Sequence, residues 1–187
     1  MTGSHHGEIA RRWWHGLVKD PARRGAARAS LARLRRAGAR TDAFLEPATS
    51  DLVRRIGVTS PKQVDRAAAI AMVLAHVRED DATPVARACG PADDSDSGKL
   101  KYNRFRRLLQ AEDDELVDQM RRLVHLLGGR ANVADLATSL LFWGDGTRRR
   151  WALAYYRADR EPESAAASAA RPSTSENPSR EGTDGHC

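Results

Sequence analysis

Apolar residues in the C-terminal half of this 187-residue chain recur at three- and four-residue steps, the period of helices buried along one stripe. Tyr102, Phe105, Leu108 and Leu109 mark one such stripe. Leu116, Met120, Leu123, Val124 and Leu127 mark a longer one, which should turn Arg121, Arg122 and His125 to the opposite face. Gly128-Gly129 stops that helix, because glycine takes the left-handed C-terminal conformation at little cost. Asn132 followed by Asp135 has the form of a capping-box variant and opens a third helix, buried through Val133, Leu136, Ala137, Leu140 and Leu141. Gly144 closes it, and Thr147 is the expected cap of a fourth helix that buries Trp151, Ala154 and Tyr155. Short links between helices of this length favour antiparallel packing in a bundle.

The N-terminal half is less regular. Residues 1–7 are expected to be disordered, and a first helix runs from about Glu8 to Lys19, where Asp20-Pro21 ends it. Trp13, Trp14 and Leu17 anchor it; adjacent tryptophans point in different directions, so one can be core while the other meets a neighbour. Ala22 to Ala37 forms a helix dense in arginine, with Leu31, Leu34 and alanines as its thin apolar face. Residues 39–59 read as irregular, apart from a short helix from Ser50 to Ile56. Ser60-Pro61 then opens a helix, serine as cap and proline in the first position, extending to about Arg78. Between Ala67 and Ala75 that helix is apolar almost all round and belongs at the centre.

These elements predict an all-α protein of two small helical-bundle subdomains, residues 8–79 and 99–158. An acidic linker at 80–98, with one possible helical turn from Pro84 to Cys89, joins them, and a disordered tail follows at 159–187. Asp93, Asp94 and Asp96 lack the glycine and terminal glutamate of a calcium loop and read as a solvated loop. His5-His6 has no further ligand at useful spacing. Two distant cysteines, no signal-peptide pattern and no apolar run of membrane-spanning length point to the cytoplasm.

Charge sharpens the picture. Six of the 25 acidic and three of the 31 Lys and Arg residues fall after Ala158, leaving 28 against 19 in residues 1–158, a net +9. A body that basic attracts a polyanion, or simply solvates an arginine-covered helical surface. No phosphate-binding loop, nucleophile elbow or metal-ligand spacing occurs, so no catalytic, cofactor or metal-binding residue is nominated.

The ordered series R-F-R-R-L-L, M-R-R-L-V, A-D-L-A-T-S-L-L-F-W-G and R-R-R-W-A-L-A-Y-Y resembles the C-terminal half of CasB, the small subunit of the type I-E CRISPR Cascade complex. Trp13-Trp14 and the segment A-S-L-A-R-L-R-R-A fit the family more loosely. The resemblance implies an all-helical, non-catalytic subunit that contacts guide RNA and target DNA without reading sequence. It would also contact the backbone and large subunits and a second copy of itself. Guide pairing supplies sequence specificity in such complexes, so backbone contacts by arginine suffice. By motif position the expected contacts are Arg104, Arg107, Arg121 and Arg122, then Arg106, Arg148, Arg149 and Arg150, with Lys99, Lys101, Arg35 and Arg36 beside them. Trp13 or Trp14, Phe142 and Trp143 are the expected exposed anchors for subunit contacts. The competing readings are a helix-turn-helix regulator, whose recognition helix would span Ala131 to Trp143, and a module that binds acidic protein. Asp135 at that helix start argues against the regulator.

Overall fold

A computed structural model describes residues 2–19, 24–92 and 98–157. Ten helices and one two-residue strand pair account for the regular structure among them, so the molecule is all-α. At its centre lies α5 (Pro61–Leu74), introduced by Ser60 and Pro61 as the sequence indicates. Every residue from Ala67 to Ala75 is buried, which is what an all-round apolar helix requires. The helix is shorter than expected. The chain turns at Ala75-His76 and runs into β1 (Glu79–Asp80), which pairs in parallel with β2 (Arg130–Ala131).

Around α5 the N-terminal half forms a collar. α1 (Thr2–Lys19) lies across the molecule, and its tryptophans tie it down. The Trp14 indole donates to the Leu74 carbonyl at 3.1 Å, and Trp13 donates to the Ala48 carbonyl at 3.0 Å. Residues 2–7, expected to be disordered, are instead the first turns of this helix. The physical reason is contact with the other half: Gly7 is buried against α9 (Val133–Leu141), where an added Cβ would stand 2.5 Å from the Ala134 carbonyl oxygen. α2 (Arg24–Arg36) follows the predicted arginine-rich segment. The stretch 39–59 holds α3 (Arg40–Phe44), which was not expected, and α4 (Pro47–Ile56), the expected short helix with its start three residues earlier. Asp42 starts the first by accepting from the Gly38 and Ala39 amides, both at 3.0 Å; Pro47 starts the second.

The C-terminal elements are α6 (Val85–Cys89), α7 (Tyr102–Gln110), α8 (Asp113–Leu126), α9 and α10 (Asp145–Tyr155). The α8 stripe is buried as read, and Gly128 and Gly129 end it with φ of 70° and 82°. In α7, Phe105 and Leu108 are buried, Leu109 is half-buried, and Tyr102 is exposed. Asn132 caps α9, its side chain accepting from the Asp135 amide at 2.9 Å. Gly144, not Thr147, precedes α10; Thr147 lies inside the helix and donates to the Phe142 carbonyl at 2.7 Å.

One buried cluster runs from Ala10 to Tyr155, so the two expected halves share a core. Within the linker, Val85, Ala86 and Cys89 belong to that core, while residues 93–97 and the tail from 158 onward lie outside the described residues. No described helix is long and apolar enough to cross a membrane.

Candidate nucleic-acid interface

α7 and α8 enclose a shallow groove of about 460 Å³. On α7, Arg104 and Arg107 stand one turn apart and therefore share a face. Gln119, Arg122 and His125 repeat at the same step on α8, and Leu100, Leu108, Leu123 and Leu126 complete the lining. Arg107 is held 3.0 Å from Glu115. Arg104 and Arg122 are exposed and make no ion pair with another described side chain, leaving two guanidinium forks open to an outside anion.

Arg121 is different, although its neighbour in sequence is Arg122. Its side chain is only 16% exposed. Its guanidinium donates to the Ala37 carbonyl at 2.8 Å and the Leu34 carbonyl at 3.4 Å, closing the end of α2. It does not share an open face with Arg122, as the stripe pattern had implied. Arg35 is likewise engaged, donating to the Ala75 carbonyl at 2.6 Å, whereas Arg36 is exposed without a partner among described side chains. His76 sits among these cations. Burial first, then Arg121, Arg35 and His125, hold its pKa below the ordinary histidine value, so it is neutral, with a buried Nε2 that has no hydrogen-bond partner.

The run Arg148 to Arg150 splits three ways, because successive helical residues diverge by about 100°. Arg148 reaches Glu112 at 2.8 Å and Asp145 at 3.4 Å. Arg150 reaches Asp135 at 3.1 Å and the Ser139 hydroxyl at 2.8 Å. Arg149 alone is exposed and without an ion pair to a described side chain. Arg106, Lys99 and Lys101 are also exposed and make no ion pair with a described side chain, but they lie outside the groove lining. Gln119 and His125 were absent from the sequence candidates; their three-residue spacing from Arg122 was the available signal.

The expected subunit anchors are mostly interior. Trp13, Trp14 and Trp143 are buried, the last donating to the Ala111 carbonyl at 3.0 Å. Phe142 is half-buried with its ring 5.5 Å from that of His6. Each indole found a distant carbonyl, which local periodicity does not register. The recognition-helix reading meets a similar obstacle: no residue of α9 is exposed, since α1 and α5 cover it. Other chemistry is sparse. A second cavity of about 280 Å³ mixes Arg40, Arg66 and Arg148 with Glu112 and Asp113, and its charges largely pair internally. Cys89 is buried, its thiol pushed up to about 12 by desolvation, which makes it a poor nucleophile. Among the described residues no cluster of three His, Cys, Asp or Glu could hold a metal.

Fold and groove define a small all-helical protein with a cationic face and a shared core. A family model for CRISPR-associated protein Cse2 matches residues 30–156, about two thirds of the chain, and spans every candidate arginine and lysine. The chain belongs to this family, also called CasB, a component of the type I-E CRISPR Cascade complex. Comparisons with curated proteins and with solved structures gave no match.

Proposed function

We propose that this protein is the non-catalytic small subunit of a type I-E Cascade complex. In this role it holds the sugar-phosphate backbone of a single strand, the displaced strand of the target DNA or the guide RNA, in the α7–α8 groove. The observation that carries the reading is the pair Arg104 and Arg122, without an ion pair to any described side chain and lining one groove from two helices. Guanidinium groups on rigid helices bind phosphates strongly, and contacts to phosphate carry no sequence information. Binding is accordingly sequence-blind, as guide-directed recognition allows.

The test is a salt titration of binding to fluorescent single strands of unrelated sequence. The double variant Arg104→Ala with Arg122→Ala should weaken all strands alike and reduce the slope of log K against log salt by about 1.4, roughly 0.7 per lost phosphate contact. An unchanged slope would show the groove to be merely solvated. Loss confined to one duplex sequence would mean base readout and overturn the proposal.

A further inference from the structure

Beside the groove, α7 and the end of α10 are joined by a buried ring pair. Phe105 and Tyr155 stack with centroids 4.0 Å apart and planes 14° from parallel, and the Tyr155 hydroxyl donates to the Leu100 carbonyl at 2.6 Å. Leu100 itself lines the cationic groove. Two further tyrosines flank this stack and stay outside the core. Tyr102 stands one turn before Phe105, and the Tyr156 ring lies 4.9 Å from that of Tyr155, nearly perpendicular to it. Each is 56% exposed, and neither hydroxyl bonds a described residue. The remaining large exposed apolar side chains are aliphatic, of the kind any surface carries singly. Rings differ, because an exposed aromatic face beside cations is the arrangement that takes an unpaired base. The cations are present: Arg106 follows Tyr102 by four residues on the same helical face, Lys101 immediately precedes it, and both are exposed.

We propose that Tyr102 and Tyr156 form a stacking platform for unpaired nucleobases, with Arg106 and Lys101 taking the adjoining phosphates. The inference rests on the proposed role of the groove and deepens it. The groove follows the backbone, while the platform, on another face of α7, favours a strand whose bases are free over a duplex whose bases are stacked inside. Any base has a π-face, so the platform adds affinity without sequence preference.

The experiment compares two strands of equal length and phosphate count, one of thymidines and one abasic, on the full chain. The wild type should bind the thymidine strand more tightly. Replacing both tyrosines by leucine should lower thymidine-strand affinity about five-fold or more and leave the abasic strand unchanged. Tyr102→Phe with Tyr156→Phe, which keeps the rings, should restore wild-type binding. Equal wild-type affinity for both strands, or an equal loss on both in the leucine variant, overturns the platform while leaving the groove standing. Failure of the wild type to bind either strand removes both readings. Unchanged strand binding with loss of co-purification with the other Cascade subunits would make the tyrosines a protein contact and overturn the proposal.

Discussion

Arg121 and Arg122 are adjacent, identical in chemistry and opposite in role, and their separation can be measured. Arg121 donates to two carbonyls at the end of α2, Ala37 at 2.8 Å and Leu34 at 3.4 Å. Neither carbonyl has a helical partner, since the next amides turn away: that of Gly38 goes to Asp42. The 2.8 Å bond is charge-assisted and partly buried, worth about 1.5–3 kcal/mol, while the longer contact and the 3.9 Å approach to Asp118 add little. Burial of the guanidinium, which also holds its pKa below the ordinary arginine value, offsets part of that gain. Arg121→Met keeps the aliphatic stem and removes the donors, so the expected loss is about 2 kcal/mol, or roughly 4–8 °C in melting temperature for a domain of this size. Arg122→Met should leave stability within about 0.5 kcal/mol, because that side chain is exposed and has no partner among the described side chains, yet reduce the single-strand salt slope by about 0.7. Calorimetry and a salt titration on both variants decide the matter. Equal stability losses, or a salt slope lowered only by Arg121→Met, would refute the assignment.

Two further substitutions probe the shared core and its pH dependence. Gly7→Ala should destabilise by about 1–3 kcal/mol in urea titrations despite better helix propensity, since the new Cβ runs into Thr138 Oγ1 and stands 2.5 Å from the Ala134 carbonyl oxygen. Gly16→Ala, on the same helix with nothing within 4 Å, should instead stabilise by about 0.5–1 kcal/mol, and a matching gain at Gly7 would deny the α1–α9 contact. His76 is held neutral by burial and by Arg121, Arg35 and His125, so the unfolded chain takes up its proton first. Stability is therefore intact above about pH 6.5 and falls below it, by at most about 1.4 kcal/mol per pH unit. His76→Leu should flatten that fall in urea midpoints measured between pH 7.5 and 5.5; an unchanged profile would place the titration elsewhere.

The sequence by itself determined what depends on neighbours a few residues apart. Helical period marked the α8 and α9 stripes, Asn132 and the Gly128-Gly129 pair marked their ends, and the apolar run Ala67–Ala75 announced a surrounded helix. The ordered motifs of the C-terminal half were also enough to point to the Cse2 family. What it left open depends on groups far apart in the chain. Periodicity shows that a tryptophan lies on an apolar face, but only packing brings Ala48, Leu74 and Ala111 to the indoles of Trp13, Trp14 and Trp143 and buries them. The extent of α1 was likewise unreadable, because Gly7 is ordered by contact with α9, more than a hundred residues away. The candidate site divides along the same line. Composition identified the arginines, and tertiary structure decided which of them spend their donors on carbonyls and carboxylates and which remain open. Arg121 closes α2, Arg148 and Arg150 pair with acids, and Arg104 and Arg122 line the groove without a partner among the described side chains. A guanidinium has the same charge in every case; its availability is set by the partner that the fold brings within about 3 Å.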